Sequence, residues 1–110
     1  MKFFRQGTLL LMMAALSTSA LHANVKKGQK YYQKKLQKSC NKNGGEFASL
    51  HSQSEWKKSL DNGTFKTLIL DACPAGKSFV DDAKFDDKYQ EHLYDFFFEY
   101  ANDSGNVPSC

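Results

Sequence analysis

The chain has 110 residues, 41% of them hydrophobic and 25% charged, and its length excludes more than one domain of ordinary size. The formal net charge of +3 includes Lys2 and Arg5, which lie in a segment that reads as a removable leader; the remainder carries thirteen lysines against twelve acids, 13 − 12 = +1. That balance is nearly neutral, and the export that such a leader implies argues against a nucleic-acid partner.

Lys2 and Arg5 precede an apolar run from Leu9 to Leu16, and Ser17 to Ala23 supplies small residues. This is the three-part pattern of a secretory signal peptide over residues 1–23. Cleavage after Ala20 places Thr18 at the minus-three position and cleavage after Ala23 places Leu21 there; both stay open. The run is too short to span a bilayer, and no later stretch reaches the roughly 18–20 apolar residues that a membrane helix needs. The expectation is a soluble periplasmic or secreted protein with no membrane span, and with no cysteine near either cleavage site to carry a lipid. Residues 24–110 then form a single helical domain. A domain of that size buries only about 60–65% of its unfolded surface and benefits from staples. Cys40, Cys73 and Cys110 are available, and an oxidising compartment makes a disulfide the default state of two of them.

The first helix is predicted over Val25 to Cys40, with Val25, Gly28, Tyr32, Leu36, Ser39 and Cys40 on one face and lysines over most of the rest. Gly28 on the apolar face costs helix stability by roughly 1 kcal/mol relative to Ala, which points to another backbone or ring lying against it. Asn43-Gly-Gly45 reads as the stop. Ser52-Gln-Ser-Glu55 has capping-box spacing and starts a second helix bearing Trp56 and Leu60. Asp61-Asn-Gly63 ends it. Thr64 reads as the cap of a third helix with Phe65, Leu68, Ile69, Ala72 and Cys73, closed by Pro74; Thr67 to Leu70 also admits a strand. Residues 74–84 read as a polar connection.

The last helix is predicted from Phe85 to about Ala101, with Asp86 and Asp87 favouring its N-terminus. At 100° per residue, Phe85, Tyr89, Leu93, Phe96, Phe97 and Tyr100 fall within an arc of about 120°, with Tyr94, Phe98 and Ala101 beside it and Glu91, Asp95 and Glu99 on the far side. A helix this aromatic requires cover from the others. Residues 102–108 are turn-rich and lead to Cys110. Charge divides by half: ten lysines face three acids in residues 24–66, and three lysines face nine acids in residues 67–110. Such a basic half suits nucleic acid or an anionic membrane surface, but the expectation taken is that basic and acidic helices pack against each other.

Candidate chemistry is sparse. Beyond the leader only His51 and His92 are imidazoles and no Met remains. His51 reads as a residue at a helix entrance and His92 as a packing residue at the edge of the aromatic face. The cysteines lack the short pair spacing of a zinc site, and Asp81, Asp82, Asp86 and Asp87 lack the alternation and glycine of a calcium loop. No catalytic, metal or cofactor-binding residues are assigned, and the protein is read as a non-enzyme without a cofactor.

Gly28 followed by Tyr32 in a first helix, a cysteine at its end, a Trp-bearing helix after Ser-x-x-Glu and a terminal helix rich in Tyr and Phe together resemble the class I c-type cytochromes. The Tyr100 to Cys110 ending is similar to that of short cytochrome-c-like periplasmic proteins of epsilon-class proteobacteria. The resemblance implies an all-α domain of three to four helices in which the first and last cross, with Gly28 and Tyr32 against Phe96, Phe97 and Tyr100. The chain departs from the family at the haem-attachment motif: Gln37 stands three residues before Cys40, Asn41 follows it, and no Met is present as an axial ligand. The implied role is a binding or accessory module beside respiratory or cytochrome partners, without covalent haem. The alternatives are a thiol-based redox protein using an unpaired cysteine, against which stands the absence of Cys-x-x-Cys, and a noncovalent haem held between His51 and His92. For the disulfide, Cys40 and Cys73 both end helices bordering the region where haem would sit in a cytochrome-like arrangement. They are the expected pair, leaving Cys110 as a free thiol or joined to a second chain; the competing pair is Cys73 with Cys110.

Overall fold

The computed structural model describes residues 24–107. The leader over residues 1–23 and Cys110 lie outside them. The described residues are helical and contain no strand, so Thr67 to Leu70 is helix. Among the described residues there are seven α-helical segments, more than the three to four helices expected.

The first segment, α1, spans residues 24–35, and α2 is Gln37–Cys40. They divide at Leu36, where φ is −123°, although hydrogen bonds from Leu36 N–H to Tyr32 O and from Cys40 N–H to Leu36 O carry the helical register across. The stop comes earlier than Asn43-Gly-Gly45. Asn41 adopts the left-handed conformation at φ 56°, which Asn tolerates better than most residues. Asn43 instead opens α3, Gly44–Ala48: its side chain accepts the Glu46 N–H at 2.8 Å, and the Glu46 carboxylate accepts the Asn43 N–H at 3.2 Å. This reciprocal cap satisfies two free backbone donors and outweighs the stop tendency of the glycines.

The Ser52 box starts α4, Gln53–Asp61, with Glu55 N–H on Ser52 Oγ at 3.1 Å and Ser52 N–H on Glu55 Oε1 at 2.9 Å. Helix α5 is Phe65–Ala72. Thr64 precedes it but makes no side-chain cap; its hydroxyl turns back to the Ser59 carbonyl at 3.4 Å. Pro74 opens a 3₁₀ turn, Pro74–Gly76, that runs into α6, Lys77–Val80. The stretch read as a polar connection therefore contributes buried Gly76 and Val80 to the interior. The last element begins with a π-helical turn, Phe85–Tyr89, and continues as α7, Gln90–Glu99.

Helix α7 is the centre of the molecule. Phe85, Leu93, Phe96 and Phe97 have no exposed surface, and α3 and α4 pack on α7. Tyr32, Phe47, Trp56 and Phe65 complete an aromatic core around Phe97, with ring centroids 6.1, 5.2, 4.7 and 5.9 Å from it. Two buried polar groups are satisfied within this core: Trp56 Nε1 donates to Ala48 O at 2.9 Å and the Tyr32 hydroxyl to Lys42 O at 2.7 Å. Helix α1 lies against α7 at Gly28, where a Cβ would fall on the His92 carbonyl oxygen and 2.7 Å from Phe96 Cβ. Contact that close is open only to glycine.

Charge does not hold these elements together in the way expected. Among the described residues one ion pair joins the basic and acidic halves, Lys66 to Asp86 at 2.9 Å, while Lys57–Asp61 and Lys77–Asp81 each lie within a single half. The α1 contact with α7 is made by Gly28, by rings and by an Asn24–Asp95 hydrogen bond rather than by a lysine–carboxylate pair.

Candidate functional site

Cys40 at the end of α2 and Cys73 at the end of α5 form a disulfide, with Cα atoms 5.2 Å apart. Cys73 is buried and Cys40 partly so. The bridge pins the α1–α2 arm to the 3₁₀ turn, where a Cβ at Gly76 would lie 2.9 Å from Leu36 Cδ2. Both described cysteines are thereby used structurally.

The residues chosen for the helix contact sit together. Tyr32 lies 6.3 Å from Phe96 and 6.1 Å from Phe97, and Tyr100 stacks edge-on to Phe96 at 5.4 Å. The two histidines are not brought together. His51 precedes α4, its ring edge-on to Trp56 at 4.9 Å and its Nδ1 3.7 Å from Glu55 Oε2; its carbonyl accepts the Asn102 N–H at 3.1 Å. His92 instead faces Tyr31 at 5.8 Å and the Gly28 contact. From His92, α7 runs on to Glu99, about 10 Å along its axis, before the tail returns to His51 at Asn102. Among the described residues no group of His, Cys, Asp or Glu is placed to hold a metal ion.

What the sequence reading missed is a groove. The tail after α7 is fastened back over the start of α4: Gln53 N–H donates to Asp103 Oδ1 at 2.9 Å, Gln53 Nε2 to Phe98 O at 3.1 Å, and Asn102 N–H to His51 O. Asp103 thus adds a carboxylate at the α4 N-terminus, where the exposed amides and the helix dipole favour one. Between this tail and α3 runs a groove of about 510 Å³, with Asn43, Glu46 and Ser49 on one wall and Tyr100, Asn102 and Asn106 on the other. Asn106 is held by its amide on Glu99 O at 3.3 Å, and the Ser49 hydroxyl donates to Glu46 O at 3.0 Å. Val107 at its end is 88% exposed. The walls offer amides, the Glu46 carboxylate, the Ser49 hydroxyl and the Tyr100 phenol, a set suited to hydrogen-bonding a polar chain.

Two carboxylates show displaced titration. Hydrogen bonds from the Ser52 backbone and side chain hold Glu55 below its ordinary range. Burial pushes Asp95 up, Glu91 adds to this, and a hydrogen bond with Asn24 and the nearness of His92 oppose it. Burial also raises the Tyr94 phenol. Neither acid lies in the groove.

No protein-family model, curated protein or solved structure matches the chain. No helix of the described residues is long and apolar enough to cross a membrane.

Proposed function

We propose that this is an exported, cytochrome-c-like helical module that carries no covalent haem and works by binding a partner protein through the groove between α3 and the tail. The observation that carries the reading is the groove itself, of about 510 Å³, lying between α3 and the tail that is bonded back to Gln53 and His51. The close approach of α1 to α7 at Gly28, with Tyr32 against Phe96 and Phe97, supports the cytochrome-like part. The interior is filled by Tyr32, Phe47, Trp56, Phe65, Phe96 and Phe97, each no more than 1% exposed. A core packed in this way is a rigid scaffold for a surface site, and the disulfide stiffens it further.

The test is crosslinking and recovery of partners from the native compartment with wild type and with Ser49→Arg/Asn106→Arg, which fills the groove from both walls. The expected result is a partner crosslinked at groove residues and lost at least tenfold in the variant, with an unchanged melting temperature. Equal recovery by both proteins refutes the groove, and a Soret band with a pyridine haemochrome in the native protein refutes the haem-free reading.

A further inference from the structure

The lysines of the first two helices form an ordered feature that the groove does not use. Seven lysines and no acid occupy residues 24–43, against six lysines and twelve acids over residues 44–107. Lys26, Lys30, Lys34 and Lys38 follow one another at i, i+4, so they stack as a ridge roughly 18 Å long at 1.5 Å per residue. Lys27 lies beside it. At 100° per residue the ridge centres about 180° from Val25, Gly28, Tyr32 and Leu36, the face that is buried. All five lysines are exposed, and none makes an ion pair among the described residues.

Like charges at i, i+4 oppose helix formation, and here three successive pairs do so with no ion pair to a carboxylate among the described residues. The ridge contains neither Arg nor an aromatic anchor, the residues around which protein–protein contacts concentrate their energy. Where it ends, Gln37, Lys38, Asn41 and Lys42 line a hollow of about 370 Å³. A slanting row of exposed point charges suits an extended anionic surface, and a small hollow flanked by two lysines suits one phosphate headgroup. A second copy of the chain offers a poor match, because Asp81, Asp82, Asp86 and Asp87 are interleaved with Lys66, Lys77, Lys84 and Lys88.

We propose that the ridge Lys26, Lys30, Lys34 and Lys38, with the hollow at Lys42, is a docking surface for a bilayer rich in anionic phospholipid. The inference goes beyond the groove and does not require it. A basic residue near such a surface is worth about fivefold in partitioning, so removing four should weaken binding by several hundredfold.

The experiment is co-sedimentation of the purified native protein with vesicles of phosphatidylcholine containing 30% phosphatidylglycerol, and with pure phosphatidylcholine. Binding is expected only to the anionic vesicles at 50 mM salt, with release at 500 mM as charges are screened. Lys26→Gln/Lys30→Gln/Lys34→Gln/Lys38→Gln should lose that binding, while Lys57→Gln/Lys58→Gln/Lys77→Gln/Lys84→Gln, with the same change in net charge, should lose less than tenfold. Circular dichroism checks that both variants remain folded. Failure to bind anionic vesicles, equal binding to neutral ones, or equal loss in the two variants overturns the proposal. So does displacement by inorganic phosphate at matched ionic strength, or a preference for soluble polyglutamate over vesicles, which would assign the ridge to small anions or to an acidic protein.

Discussion

Gly28→Ala tests the closest contact in the molecule. An added Cβ would clash with the His92 carbonyl oxygen and lie 2.7 Å from both His92 C and Phe96 Cβ. Ordinary contacts begin near 3.4 Å, and the first two atoms belong to the α7 backbone, which no side-chain rotation can move aside. Helix α1 must therefore withdraw by about 1 Å, loosening Val25 and Tyr32 from the core. Overpacking costs about 1–3 kcal/mol, and a clash with backbone belongs at the upper end. Against this, Ala gains about 1 kcal/mol of helix propensity over Gly. The net loss of about 2 kcal/mol corresponds to a fall of roughly 8–16 °C in Tm for a domain of this size. Gly28→Leu should fall further, and Lys27→Ala, on the exposed side of the same turn, should change little. Thermal unfolding followed by circular dichroism reads all three. A Gly28→Ala protein as stable as wild type would refute the close approach, because propensity alone would then have decided the outcome.

Replacing both Cys40 and Cys73 by Ser opens a loop with a sequence separation of 33 and should remove about 3–4 kcal/mol in the chain-entropy account; urea unfolding of oxidised wild type and the variant measures it, and a difference under 1 kcal/mol would contradict the bridge as a staple. Asp95 is raised in the folded state, so it favours the fold when protonated, and that advantage is lost as pH rises through its folded pKa. Asp95→Asn should therefore raise Tm at pH 7, with the gap to wild type shrinking as pH falls toward 4; a variant less stable at pH 7 would oppose burial as the dominant cause. Glu55 has the opposite sign: its depressed folded value contributes stability above the unfolded carboxylate pKa that is lost as pH falls through the folded one. Glu55→Gln should flatten the decline in Tm between pH 5 and 3, and an unaltered profile would count against the capping role.

The parts of the fold that were legible are those where one local signal had no rival. Ser52 and Glu55 stand at capping-box spacing ahead of Trp56, and the box forms. The arc from Phe85 to Phe97 had enough aromatic area to be a core wherever it was placed, and it is buried. Asn43-Gly-Gly-Glu46 carried the same cap signature but competed with a stop signal in the same residues. Two reciprocal hydrogen bonds decided it, and Asn41 supplied the left-handed turn instead. Residues 74–84 read as a connection because lysines and aspartates are as many there as the apolar residues Ala75, Phe79, Val80 and Ala83, yet Gly76 and Val80 are spaced one turn apart and both are buried. A single turn needs only two inward positions, too few for periodicity to register.

Site-level features were less legible because they depend on what is absent from a neighbourhood or on contacts far apart in sequence. The i, i+4 run of lysines is plain in the sequence, but whether acids neutralise it depends on where α7 turns its charged side. Gly28 settles that by admitting α7 on the face opposite the ridge, so the residue that makes the core contact also leaves the lysines facing water. The groove arises from the same kind of coupling. Its far wall exists because Asp103 and Asn102 bond to Gln53 and His51, about fifty residues earlier in the chain, and no window of local sequence contains both partners. Asp103 is an unremarkable residue in a turn-rich tail until α4 presents its free amides, after which a carboxylate there is favoured by the helix end itself. Position therefore converts a tail that reads as a polar turn into the wall of the groove.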